Sequence, residues 1–173
     1  MARHPDRQTL CDEMKRTVIL RDRLRMIFEW YKGMVDKKSG RLLYLYDPKN
    51  DFAIGDGEPI RDIAAIWDVE VLSAFLGCAD LEPLIRSSLD RFEYLIVERD
   101  GYAVVAAQGE SFSIAHSVFL ALALIFSDLP DKVRRFTPLI TGILRQQRKD
   151  GSYRVSLTAT QIAGRSFIRP RRC

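Results

Sequence analysis

Cysteine is scarce in this chain of 173 residues: Cys11, Cys78 and Cys173 are far apart and odd in number. No Cys-x-x-Cys or His/Cys pairing occurs, which argues against a disulfide framework and against a zinc site. Free or buried thiols in a reducing cytosol are the expectation. Long apolar runs are also lacking. The most apolar stretch, residues 114–126, contains His116 and is too short to span a bilayer. The opening residues, "MARHPDRQTLCDEMKR", are polar and hold no apolar segment, so no signal peptide is expected and the location reads as cytoplasmic. Charge of one sign is missing too. The net charge of +4 is carried by a tail in which Arg165, Arg169, Arg171 and Arg172 have no acidic neighbour. Without those four the chain balances 23 basic against 23 acidic side chains. Nucleic-acid binding needs a basic face rather than one basic end, so no nucleic-acid partner is expected.

What is present is an ordinary globular composition, 47% hydrophobic and 29% charged, at a length that suits one core. Residues 9–37 carry Leu20, Leu24, Ile27, Phe28 and Tyr31 at helical spacing among Arg and Asp. Lys37-Lys38-Ser39-Gly40 then supplies cations followed by glycine, a helix-terminating pattern. "RLLYLYDP" follows as a short extended piece stopped by Pro48, and "KNDFAIGDGEP" as a polar loop. Pro59 opens a second helix, "IRDIAAIWDVEVLSAFLG", closed by Gly77.

The pattern recurs. Residues 81–97 read as an amphipathic helix ended by Glu98-Arg99-Asp100-Gly101. "YAVVA" is extended, "AQGES" is a loop, and Ser111 or Ser113 is placed to cap the apolar helix "IAHSVFLALALIF". A third unit begins at Asp131, with a helix over residues 132–147, a turn at Asp150-Gly151 and the extended piece "SYRV". Turn glycines at 40, 101 and 151 are each followed closely by an aromatic: Tyr44, Tyr102 and Tyr153. A two-helix unit of this length implies an array that buries its core by stacking neighbours. The first helix of each unit is amphipathic and the second is apolar nearly all round. That predicts an all-α chain, an incomplete α/α toroid of about three helical hairpins with short extended turns. The expected organisation is a polar leader (1–15), the hairpin repeats (16–156) and a basic tail (157–173).

Gln147-x-x-Asp150-Gly151-Ser152-Tyr153 resembles the QxxDGSW repeat of terpenoid cyclases, with tyrosine in the tryptophan position. In that family the motif clamps an outer-helix C-terminus to the turn that follows. "GRLLYLYDP" followed by "PIRDIAAIWDVEVL" is similar to the six-hairpin-glycosidase and terpenoid-cyclase-like groups, which carry a Y-x-Y-D-P turn and an arginine opening an inner helix. The resemblance covers about residues 20–155 and implies a toroid. The third unit lacks an inner helix, since "SLTATQIAGRSFIRPRRC" is interrupted by Gly164 and Pro170. One permitted codon set for residues 162–173, read from the last base of the Ile162 codon, spells R-R-E-E-L-Y-P-A-E-A-M. That resembles the opening of a later inner helix in the same groups, so the tail is expected to be out of frame and the chain to be an N-terminal fragment. A natural terminal variant is the competing reading.

The resemblance implies a glycan hydrolase or epimerase type of activity on a glycan or small-molecule substrate. The alternatives are a terpenoid-cyclase or prenyltransferase-like protein, and a non-catalytic binding module or inactive fragment. No DxDD acid motif is found. Cys78 and His116 stand without the Asp/Cys/His set by which prenyltransferases of this shape hold zinc, so no metal and no cofactor is expected. Ligands in a toroid enter at the mouth, where the inner helices begin. Asp56, Glu58, Asp68 and His116 are the candidate catalytic residues, because paired carboxylates can act as general acid and base. Arg61, Asp62, Tyr44, Trp67, Glu110 and Ser111 are the candidate ligand-binding residues. Asp47-Pro48 and Asp56-Gly57 also fit plain turn chemistry. His116 and the aromatics also fit core packing. Asp68 and Glu70, inside an apolar helix, need partners or water. Apolar inner helices at the broken edge are expected to require a partner or the missing C-terminal half.

Overall fold

The computed structural model describes residues 7–36, 41–43, 45–54, 59–106 and 111–158. Among the described residues there are five helices: α1 (Arg7–Gly33), α2 (Pro59–Leu76), α3 (Glu82–Arg91), α4 (Ile114–Phe126) and α5 (Lys132–Arg145). Six short strands accompany them: β1 (Leu45–Asp47), β2 (Phe52–Ile54), β3 (Ile96–Arg99), β4 (Tyr102–Val105), β5 (Ser111–Ser113) and β6 (Ser156–Thr158).

The all-α expectation is therefore corrected to a mixed, mainly helical chain. The extended pieces after the helices do not stay isolated; they pair. β1–β2, β3–β4 and β5–β6 each form a two-stranded antiparallel sheet. The physical reason is clearest between α3 and α4. Asp100 and Gly101 have φ of 44° and 76°, the two left-handed residues of a type I′ turn, whose twist matches that of the flanking strands. Arg99 then faces Tyr102, and Ile96 faces Val105. The helix expected over 81–97 consequently ends early: α3 stops at Arg91, a 3-10 turn covers Phe92–Leu95, and Val97 lies in β3. β5 and β6 join residues on either side of α4 and α5, with Phe112 opposite Leu157.

The helices keep the expected division of labour in part. α2 and α4 pack on each other, and α4 packs on α5. Trp67 meets Phe119, with ring centroids 5.9 Å apart, and the C-terminal ends of the two helices share one cleft, so α2 and α4 run in the same direction. The main core holds Phe28 of α1, Ile63 of α2, Leu89 of α3, Leu120 and Leu124 of α4 and Leu139 of α5. α1 joins it through Leu24, Phe28 and Tyr31, whereas Leu20 and Ile27 of the same expected face stay exposed. α2 also leaves Val71 and Phe75 exposed.

Local chemistry fixes the ends. Gly77, at φ 67°, turns the chain after α2 so that Cys78 N–H reaches the Ser73 carbonyl at 3.0 Å. Ser113 caps α4, its Oγ accepting from Ala115 N–H at 3.3 Å. The clamp expected at residues 147–153 is formed. Gln147 Nε2 donates to the Gly151 carbonyl at 3.2 Å, and Asp150 Oδ1 accepts from Ser152 N–H at 3.0 Å. Gln147 and Tyr153 form a backbone bridge. Arg135 pins α5 to α3: its buried guanidinium lies 3.0 Å from Asp90 Oδ1 and donates to the Leu89 carbonyl at 3.1 Å. Glu93 Oε1 sits 3.3 Å from Arg135 Nε without hydrogen-bond alignment.

Candidate functional site

The start of α2 is the first half of the expected mouth. Asp62 is buried there, with Arg41 Nε 3.5 Å from its Oδ2. Burial raises the Asp62 pKa, and the Arg41 and Arg91 charges and the Leu42 N–H oppose that shift. The adjoining cavity, bordered by Leu42, Ser88 and Arg91, is about 30 Å³, the share of a single water. This is a charged pin holding the segment before β1 on α2, rather than an open ligand site. Arg61 is exposed beside it.

At the start of α4, His116 is buried in the first turn. Its neighbour Ser117 is buried as well, and Ser117 Oγ accepts from Val105 N–H at 3.0 Å, tying β4 to α4. His116 thus belongs to the packed base of the helix. Ser111 opens β5 opposite Thr158. Tyr44, Asp56, Glu58 and Glu110 lie outside the described residues. Asp47 and Asp51 serve the β1–β2 turn: Asp47 Oδ1 accepts from Lys49 N–H at 3.0 Å, and Tyr46 Oη donates to Asp51 Oδ1 at 2.8 Å.

One expected residue gains a distant partner, farther along α2. Asp68 is exposed and accepts a hydrogen bond from Tyr31 Oη of α1 at 3.3 Å. Burial, then the Asp68 charge and this bond, push the Tyr31 pKa up to about 12. Burial raises Asp68, while the phenol lowers it. Trp67, next in sequence, is half-buried against Phe119. Trp30 stacks edge-on against Tyr31, at 5.3 Å between centroids. The Tyr31–Asp68 bond thus bridges α1 and α2 with the exposed Trp30 beside it, whereas Trp67 packs toward α4 and is not brought to this spot. Tyr31 was visible in the sequence only as a face residue of its helix. Its pairing with a residue 37 positions away had no local signal.

A second locus sits where α2 and α4 end. A cleft of about 230 Å³ is lined by Glu70 and Ser73 of α2, Glu82 of α3, and Phe126 and Asp128 at the end of α4. Glu70 is 5% exposed, and neither carboxyl oxygen has a hydrogen-bond partner. Its pKa is pushed up to about 8, chiefly by burial, with Lys132 lowering it and Asp128 raising it. The sequence did flag Glu70 as a carboxylate in an apolar helix but did not place it in a site.

Set against family models, curated proteins and solved structures, the chain matches none of them. Among the described residues, no helix is long and apolar enough to cross a membrane.

Proposed function

We propose that this chain is part of an α/α-toroid protein that recognises carbohydrate, and that the Trp30–Tyr31–Asp68 face of α1 and α2 contacts the sugar. One observation carries the reading: Asp68, exposed on α2, is held by Tyr31 Oη at 3.3 Å, and the exposed Trp30 ring lies 5.3 Å from that phenol. Carboxylates accept sugar hydroxyls in pairs, and indole faces stack on the apolar side of a pyranose ring. The same-direction packing of α2 and α4, each preceded by a hairpin, supports the toroid arrangement. Exposed Val71, Phe75 and Ile125 mark apolar surface that further hairpins or a partner would cover. Glycan hydrolysis or epimerisation on this face requires a second carboxylate opposite Asp68, and the sequence offers Asp56 and Glu58 for it. The cell compartment that fits a free Cys78 is the cytoplasm.

The test is a fluorescence titration. Trp67→Phe leaves Trp30, beside Tyr31, as the sole indole reporter. Soluble oligosaccharides of several linkages are titrated into this variant, and product is assayed in parallel. The expected result is a saturable change with at least one oligosaccharide, weakened about tenfold or more by Asp68→Asn. Silence across the panel to tens of millimolar, in a chain that melts cooperatively, would overturn the carbohydrate reading.

A further inference from the structure

The cleft at the C-terminal ends of α2 and α4 lies on the face of α2 away from Asp68. Glu70 follows Asp68 by two residues, and two residues turn an α-helix by about 200°. The charges of the cleft are unevenly paired: α3 begins there and Arg86 lines it, but that guanidinium is paired with Glu82 at 2.8 Å. Glu70 lines the cleft, 95% buried and without a hydrogen bond, together with the exposed Asp128. Two helices end here, and a helix C-terminus carries the negative end of its dipole and carbonyls that lack an intrahelical donor. The molecule already draws one cation to this end. Lys132 Nζ donates to the Ile125 carbonyl at 3.0 Å and to the Ser127 carbonyl at 2.7 Å. That ammonium group is spent on α4, and Glu70 is left with two oxygens to satisfy.

We infer that this cleft binds a small alkylammonium ion, with Glu70 receiving the ammonium group and Phe126 covering the alkyl chain. The volume fits. About 230 Å³ equals some seven waters at about 30 Å³ each, enough for a diamine of six heavy atoms. A neutral polyol brings no charge to Glu70, whereas Glu82 already has Arg86 at 2.8 Å. An anion meets Glu70, Asp128 and two negative helix ends. An ammonium group supplies three donors to a carboxylate whose oxygens have none. Ser73 Oγ, also buried without a partner, is a further acceptor within the same lining.

Binding ionises Glu70 and sends its proton to solvent. The empty site holds a neutral acid, since burial keeps the carboxyl up at about 8. The other charges around it are accounted for. Lys132 from α5 caps α4, and Arg86 of α3 is paired with Glu82 at 2.8 Å. From α1, Tyr31 and Lys32 are engaged with Asp68 and Asp80. Asp128 from the α4–α5 link adds negative charge that favours the cation.

Butane-1,4-diamine is the probe, with butane-1,4-diol as its neutral isostere. Calorimetry on the full chain at pH 6.5, in buffers of different ionisation enthalpy, should show about one proton released per diamine bound. Affinity should rise about tenfold from pH 6 to pH 7 and level off above pH 8. Glu70→Gln should abolish both binding and proton release. Carbon NMR of the Glu70 carboxyl should show its titration moving down by two pH units or more with diamine present, which tests the wild-type chain without a variant. Diol binding as well as the diamine, binding that survives Glu70→Gln, or a Glu70 titration that diamine leaves in place would each overturn the inference. None of these outcomes depends on the carbohydrate reading, which concerns the other face of α2.

Discussion

Gly142, in the middle of α5, sets helix propensity against tertiary packing, and the two give opposite signs. On propensity alone, replacing a mid-helix glycine by alanine stabilises by about 0.5–1 kcal/mol. The packing says otherwise. α5 lies directly on β4, and a methyl group added at Gly142 would fall inside the van der Waals envelope of the Ala103 carbonyl oxygen and 2.9 Å from its carbon. The Val104 side chain is a further 3.4 Å neighbour. Since carbon atoms pack best near 3.5–4.0 Å, relief needs roughly 1 Å of separation between α5 and β4. Both sides of the clash are backbone, so no rotamer change removes it. Overpacking of this kind costs about 1–3 kcal/mol and more where backbone must move. After subtracting the propensity gain, Gly142→Ala should lose about 2 kcal/mol net, or roughly 4–8 °C in Tm for a chain of this size. Urea denaturation followed by circular dichroism measures the difference. Gly33→Ala is the control, because nothing lies within 4 Å of its added methyl, and it should change stability by less than about 0.5 kcal/mol. A Gly142→Ala chain as stable as the parent, or more so, would refute the close approach of α5 to β4.

Glu70 gives a pH prediction. Its folded pKa of about 8 lies above the ordinary 4.5, so the folded chain holds the proton more tightly. The stability this group contributes is complete below pH 4.5 and is lost as pH rises toward 8, at up to about 1.4 kcal/mol per pH unit. Glu70→Gln should therefore match the parent near pH 4.5 and exceed it by about 2–4 kcal/mol at pH 7.5, read from paired denaturation curves. Asp62 and Asp68, also raised, act equally in both chains and cancel. Equal stability at both pH values would show that Glu70 is not held neutral. Ser117→Ala removes the acceptor of the buried Val105 N–H and should cost about 1–3 kcal/mol. Its specific readout is faster hydrogen exchange at the Val105 amide; unchanged protection there would refute the β4–α4 tie.

Much of the local structure was legible because it is encoded locally. Helical spacing, Pro59, the Gly77 stop and the Ser113 cap act within a few residues, and α2 and α4 appear where those signals put them, whereas α1 ends at Gly33, short of the Lys37 expected. The clamp from Gln147 to Tyr153 was readable for the same reason. Strand pairing was not. "YAVVA" reads as extended from its own residues, but whether it pairs depends on the turn geometry at Asp100-Gly101 and on what lies across from it. Pairing turned an expected all-α chain into a mixed one and cut α3 short at Arg91. The candidate sites divide along the same line. The sequence alone determined that carboxylates at 62, 68 and 70 sit in an apolar helix and must be satisfied somehow. Only the tertiary structure decided how. Asp62 went to Arg41, Asp68 to Tyr31 of a distant helix, and Glu70 to a cleft with no partner at all. The three lie within nine residues of one another. A helix turns each to a different neighbour, and those neighbours come from parts of the chain that local sequence does not specify.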